Sequence, residues 1–412
     1  MSPLPDALTR RARLPYTVPM TIASTLLCDW EAALAARAEA GLLRQTEVLQ
    51  PLPGPRPFYR DRAGQTLLSF ASNDYLGLAR HPALREAASA SFASGEYGTG
   101  AAPLLGGMRA EHEALAQALA DWLGEEDVLL FGSGYLANLG ILSGLVEARD
   151  LLLLDRLAHA SLIDGARLSG ARLQRFRHND LAHLETLLQK PRRGRAWIVS
   201  EGVFSMDGDL ARLPELSALA ARYDAGLLLD EAHAFGVLGA QGQGSLAHWG
   251  LPDGAVTLRV GTLGKAFGSY GAFVAGPRSL TRWLQQAARS YLFHTALPAN
   301  VAAASRAALD LLREGEGLRQ HLQELRNTLQ AGLQGWPYLP SQTPIQGLIL
   351  GSNAAALGVA AALRSAGIYC PAVRPPTVPA GRARLRISLS AAHNQDDIQR
   401  LLCALQPVAG GD

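Results

Sequence analysis

The sequence predicts a doubly wound α/β fold, a mostly parallel sheet with helices on both faces. Three observations carry this. Short apolar runs alternate with Ala- and Leu-rich helical stretches, each run is too short for a helix and too apolar for an exposed strand, and the runs end in polar residues. Such runs suit parallel strands buried on both faces, and strand–helix–strand alternation builds that sheet.

In chain order, residues 30–44 read as an Ala/Leu-rich helix and 111–123 as another. Val128-Leu129-Leu130-Phe131 reads as the first buried strand. It is followed by Leu151-Leu152-Leu153-Leu154, Trp197-Ile198-Val199 and Leu227-Leu228-Leu229, with helices at 181–189 and 214–223 between them. Asp155 follows Leu154, Ser200-Glu201-Gly202 follows Val199, and Asp230-Glu231-Ala232-His233 follows Leu229. Open parallel sheets bind ligands beyond the carboxyl ends of their strands, so these polar endings mark the expected crevice. From residue 298 the texture changes to helices, then a strand at 345–350, a helix at 354–365 and a strand at 384–388. The expected division is a poorly ordered tail at 1–28 and a helix and segment at 29–68 joining the small domain. A large domain at 69–297 and a smaller α+β domain at 298–412 complete it.

A hydrophobic fraction of 48% and a charged fraction of 18% predict a soluble globular protein with ample core. A net charge of +2 carries no nucleic-acid or membrane signature. Cys28, Cys370 and Cys403 are too few and too scattered for a disulfide framework or a zinc site, which predicts inert thiols, no metal and a cytoplasmic setting. Arg10, Arg11 and Arg13 precede a mildly apolar stretch ending at Cys28. Pro15 and Pro19 break it and Leu27 is too large to precede a lipidated cysteine, so the reading rejects export. No apolar run approaches the roughly 20 residues of a membrane helix.

The chain holds 36 arginines but only two lysines, Lys190 and Lys265. Lys265 sits in Gly261-Thr262-Leu263-Gly264-Lys265-Ala266-Phe267-Gly268, with no other charge between Gly261 and Gly276. A guanidinium stays protonated, whereas a desolvated lysine can lose its proton and form a Schiff base with a carbonyl. Lys265 is therefore a candidate for imine chemistry, while Lys190, beside Pro191 and Arg192-Arg193, reads as surface.

Asp230 ends a buried strand, where a carboxylate is costly unless it meets a cation or strong donor. A protonated pyridine would be such a partner; a turn aspartate is the plain alternative. Asp-Glu-Ala-His after a strand also marks helicase-type ATPases, but that reading needs a G-x-x-x-x-G-K-[ST] loop. The only Gly-Lys here is followed by Ala266 and lies downstream, which sets the helicase aside. Gly132-Ser133-Gly134-Tyr135 leads from a strand into a helix and can offer amides to a phosphate, with Thr262 adding a hydroxyl. His159 can stack on an aromatic cofactor or simply start a helix. Ser205, in Phe204-Ser205-Met206-Asp207-Gly208, can donate to a phenolate or serve a turn.

Taken together, the chain resembles the α-oxoamine synthase family of fold-type I pyridoxal-phosphate (PLP) enzymes, from about Trp30 to the C-terminus. The segments that carry this are Ser72-Asn73-Asp74-Tyr75-Leu76-Gly77-Leu78, the Gly134-Tyr135 turn, His159-Ala160-Ser161-Leu162, residues 201–209, 230–233 and 262–268. Val373-Arg374-Pro375-Pro376-Thr377-Val378-Pro379 and Arg384-Leu385-Arg386 are most similar to the biotin-biosynthesis branch. The resemblance implies a mostly parallel seven-stranded sheet and PLP held by Lys265. It implies His159 stacked on the ring, Asp230 at the pyridine nitrogen, His233 and Ser205 at the phenolate, and Gly134, Tyr135, Thr262 and Thr295 of the other subunit at the phosphate. Arg386 would grip the substrate carboxylate, with Arg44, Asn73 and Thr377 as further substrate contacts. Implied partners are L-alanine, a pimeloyl thioester on coenzyme A or an acyl carrier protein, and a second copy in a homodimer. Other branches using glycine or serine, and a non-catalytic subunit keeping the fold, are the alternatives; retention of Lys265, Asp230 and His159 together argues against the latter. Pro103, in the glycine-rich segment 98–107, stands where glycine or arginine is usual in the family.

Overall fold

The computed structural model describes residues 23–93 and 95–409. Residues 1–22, and with them the export question and most of the expected tail, lie outside the described residues. The described residues form two compact units, divided between Thr46 and Glu47. Within the first, a helix spans Ala23–Glu39, earlier than the 30–44 expected. Gly41, at φ 62, turns the chain out of it, a left-handed position that glycine adopts without strain. Arg44 belongs to this unit.

In the second unit the leucine runs become strands of a seven-stranded sheet: Asp127–Phe131, Ala272–Gly276, Leu258–Thr262, Ala225–Asp230, Ala196–Glu201, Leu151–Asp155 and Arg172–Phe176, in spatial order. Only Ala272–Gly276 runs against the rest. Alternation along Leu151–Asp155 explains why the run is continuous. Leu152 and Leu154 face the helices Gly134–Leu145 and Ala160–Leu168, and Leu151 and Leu153 face Leu181–Leu188 and Leu213–Arg222. Both faces are covered, so neither residue set can be polar. One expectation needs correcting: Val128–Phe131 is an edge strand whose only neighbour, Ala272–Gly276, is antiparallel. It is apolar because helices cover it, not because strands flank it.

A four-stranded antiparallel sheet follows, in the order Tyr338–Leu339, Ile345–Gly351, Ala383–Ser388 and Ala372–Val373. Thr66–Ser69 pairs in parallel with Ile368–Tyr369, tying the two ends of this unit together. Cys370 is buried, which pushes its thiol up to about 12, an inert state. Cys28 and Cys403 are exposed.

Candidate active site

Register brings the polar strand ends together. Glu201 pairs with Asp230, and Asp230 with Val260, so Asp155, Glu201, Asp230 and Thr262 stand side by side at the carboxyl ends of adjacent strands. Next to Asp127–Phe131, Ser133 caps the helix Gly134–Leu145 by accepting from Leu136 N at 3.3 Å. The first N–H groups of that helix have no partner within it and carry its positive dipole end. Across from them, a Cβ on Gly134 would lie 3.8 Å from the Thr262 side chain. Lys265 rides the turn after Leu258–Thr262, closed by Gly268 N donating to Lys265 O at 2.8 Å. Gly268 allows the turn to press on the chain at Leu78-Ala79; a Cβ there would meet Ala79 N at 2.2 Å.

Gly134, Tyr135, His159, Asp230, His233, Thr262 and Lys265 line one cavity of about 170 Å³, together with Asn138, Ser161 and Glu201. Asp230 accepts from Asn138 Nδ2 at 2.7 Å and from Ala232 N at 2.9 Å. Asn138 Oδ1 is buried without a partner. His159 caps the helix Ala160–Leu168, holds Ser161 Oγ at 2.8 Å through its ring and donates its backbone N–H to Glu201 at 2.6 Å, and it lines the cavity.

From Lys265 a chain of polar groups runs inward. Lys265 Nζ lies 2.7 Å from His233 Nε2, and His233 Nδ1 lies 2.6 Å from the Tyr75 hydroxyl. Tyr75 donates to Asn73 Oδ1 at 3.1 Å and accepts from Arg386 at 3.2 Å. These partners assign the His233 proton to Nδ1, so that Nε2 accepts from Lys265. Arg386 also donates to Ser205 O at 2.5 Å, Asn73 Oδ1 at 2.9 Å and Ser388 Oγ at 2.6 Å. All of these are neutral oxygens, so a buried guanidinium is held in place without a carboxylate partner among the described residues.

Burial, with Arg386 nearby, lowers the Lys265 amine to about 8 although Asp230 and Glu201 pull it up. Burial and the cations Lys265 and Arg386 keep His233 well below the ordinary histidine range. Burial and the charge of Asp230 push Glu201 well above the carboxylate range. The site thus holds an amine able to lose its proton near neutrality, beside a neutral imidazole acceptor.

Ser205 and Thr377 lie next door, lining a cavity that shares His159. Asn73 and Arg386 join through Tyr75. Thr295 is exposed and outside the Lys265 cavity, in a small recess with Pro103, Gly132 and His294. Pro103 opens a short helical turn, Pro103–Leu105, which suits its fixed φ. Tyr75, Asn138 and Glu201 were not expected among the site residues. Glu201 had a signal, a polar strand end, and Tyr75 stands in the segment 72–78 that carries the resemblance; Asn138 comes to the crevice only through the fold.

The same crevice is braced by His178, which bridges Asp155 at 3.0 Å and Asp209 at 2.7 Å. Burial alone would keep the imidazole neutral, but the hydrogen bonds and charges of Asp155 and Asp209 win and raise it to about 9. A folded pKa above the ordinary 6.5 means the brace stabilises fully below pH 6.5 and is lost as pH rises through about 9. Urea unfolding of the wild type is expected to weaken between these pH values more steeply than that of His178→Gln; parallel pH curves would remove His178 from this role.

The residues fit PLP. A carboxylate, an amine and an imidazole line the cavity, the helix N-terminus at Gly134 lies beside the Thr262 side chain, and the buried Asn138 oxygen lacks a partner. Comparison with known proteins agrees. A model of the aminotransferase class I and II family matches residues 65–405. The 8-amino-7-oxononanoate synthase of Acidithiobacillus ferrooxidans is 58% identical over 382 residues, 92% of this chain and 98% of that protein. That of Methylobacillus flagellatus is 50% identical over 386 residues, 93% of this chain and 96% of that one. Among solved structures, serine palmitoyltransferase from S. paucimobilis with bound PLP–myriocin matches with a TM-score of 0.87 at 30% identity, over 93% of this chain and 98% of that one. An 8-amino-7-oxononanoate synthase from Francisella tularensis matches with a TM-score of 0.73 at 30% identity, over 83% and 97%. The chain therefore belongs to the aminotransferase class I and II family, and within it to the 8-amino-7-oxononanoate synthases.

Proposed function

We propose that the enzyme condenses L-alanine with a pimeloyl thioester, carried on coenzyme A or an acyl carrier protein, to give 8-amino-7-oxononanoate, CO2 and the free carrier thiol. The cofactor is pyridoxal phosphate, which when bound withdraws electrons from the α-carbon of an amino acid joined to it. Lys265 would hold the cofactor by its aldehyde carbon and would take the α-proton, a task suited to its titration near 8. Asp230 would keep the ring nitrogen protonated. His159 would stack on the ring, His233 and Ser205 would contact the phenolate, and Gly134, Tyr135 and Thr262 would hold the phosphate. Arg386 takes the amino-acid carboxylate through the charge-assisted bonds a guanidinium can make in parallel, while Tyr75 and Asn73 keep it aimed. Thr377 and Arg44 are assigned to the acyl substrate. The observation that carries this reading is the Lys265 amine 2.7 Å from a neutral His233 in the cavity that Asp230 closes.

The test is an assay crossing alanine, glycine and serine with pimeloyl, acetyl and succinyl thioesters. L-Alanine with a pimeloyl thioester is expected to lead by about tenfold or more in kcat/KM, the usual worth of one methyl or methylene group in a fitted pocket. Preference for glycine with acetyl- or succinyl-coenzyme A would move the enzyme to a neighbouring branch.

The working unit in this reading is a cytoplasmic homodimer in which Thr295 serves the cofactor on the partner's Lys265. No described helix is long and apolar enough to cross a membrane. Mixing inactive Lys265→Ala with inactive Thr295→Trp should restore part of the activity, since one site of each heterodimer then escapes both lesions. Heterodimers without recovery would assign Thr295 to its own chain.

A further inference from the structure

A second cavity, of about 690 Å³, opens beside the Lys265 site and shares His159 with it. Its volume falls among sites that bury a whole drug-sized ligand, about 300–1,000 Å³, and exceeds the Lys265 cavity several-fold. Leu157, Ile163, Phe204, Met206 and Val378 give it an apolar wall. Three arginines line it. Arg384 is buried and committed, donating to Asp207, to Arg382 O at 3.1 Å and to Met206 O at 3.4 Å. Arg156 and Arg175 are exposed. Arg175 donates to the Arg156 carbonyl, and among the described residues neither guanidinium has an ion-pair partner. Asp207, in the cavity wall, is paired with Arg384, and Asp155, whose charge acts on Arg175, is taken by Leu157 N at 2.8 Å, His178 at 3.0 Å and Asn179 N at 3.1 Å. Arg167 adds a third positive charge near Arg175, though it has Asp164 at 3.6 Å.

An apolar cavity that shares His159 with the Lys265 site, and is lined by two guanidinium groups without an ion-pair partner among the described residues, suits a long ligand whose middle is apolar and whose end is an anion. We infer that Arg156 and Arg175 form an anion subsite for the acyl donor, binding the phosphate of its carrier arm or the carboxylate at the far end of its acyl chain. This rests on the proposed function, which supplies an acyl donor with both anions. Planar guanidinium groups are suited to either.

The test uses the PLP-loaded enzyme and Arg156→Gln/Arg175→Gln, with visible absorbance and thermal unfolding confirming that the variant is folded and loaded. KM is measured for three donors at saturating L-alanine: pimeloyl-coenzyme A, its ω-methyl ester, and pimeloyl-pantetheine, which lacks phosphate. Loss of charged hydrogen bonds predicts a rise of about 10–100-fold for pimeloyl-coenzyme A, with kcat within about twofold. If the phosphate is read, the ester shifts equally and pimeloyl-pantetheine is unchanged. If the carboxylate is read, pimeloyl-pantetheine shifts and the ester is unchanged. Equal shifts for all three donors, no shift, or a fall confined to kcat overturns the subsite. Should the wild type turn over none of these donors, the proposed function fails instead. Calorimetric titration with coenzyme A and with pimelate then decides the subsite: binding of either that weakens at least tenfold in the variant supports it, and binding unchanged or undetected in the wild type overturns it.

Discussion

Lys265→Ala is expected to purify without the yellow colour of the bound cofactor and to lose at least about 10³-fold in turnover, within the range that removal of a positioned proton-transfer group costs. Lys265→Arg should fail as completely, although it keeps the positive charge. A guanidinium does not release its proton at working pH and cannot join a carbonyl carbon. The environment of Lys265 argues for the neutral amine. Burial brings it to about 8, and His233 offers an acceptor rather than a second charge. Borohydride reduction of the wild type followed by peptide mapping provides the check, because the only other lysine is the exposed Lys190. Cofactor trapped on Lys190, or retained covalently by either variant, would sink the assignment.

Asp230→Asn is expected to keep the cofactor but slow both α-proton exchange of L-alanine in D2O and overall turnover by about 10²–10³-fold. Removing one partner of a buried charge pair costs about 3–5 kcal/mol, here paid as loss of the protonated ring nitrogen that makes the α-carbon acidic. The fold should tolerate the change. The new amide can still accept from Ala232 N, and Asn138 can turn so that its unpartnered Oδ1 accepts from the new NH2 group. Near-normal exchange in this variant would place the role on another residue. Unfolding or loss of cofactor would show that Asp230 is needed first for the architecture.

Much of this site was legible from the residues because its chemistry is local. Lys265 stands out in a chain almost free of lysine, and Asp230 and Glu201 end runs that could only be buried strands. Strand periodicity failed where tertiary cover replaced it. Arg172–Phe176 was missed as a strand because it is an edge whose side chains are largely in solvent, including Arg172 and Arg175. Ala272–Gly276 was missed as well: five residues closed by glycine are too short to stand out, yet all are buried between two antiparallel neighbours.

By itself, the sequence determined the fold class, the places of four buried strands, the lone lysine in an apolar glycine-rich turn and the carboxylate that ends a buried strand. Burial of a continuous apolar run and the chemistry of a lone amine do not depend on distant contacts. Only the tertiary structure decided how those groups are tuned. Tyr75 comes 158 positions along the chain to His233, and Arg386 comes 311 to Tyr75. Desolvation in the closed crevice then brings the Lys265 amine toward neutrality and keeps His233 uncharged. These are effects of packing density and low local polarity, and no single stretch of sequence encodes them.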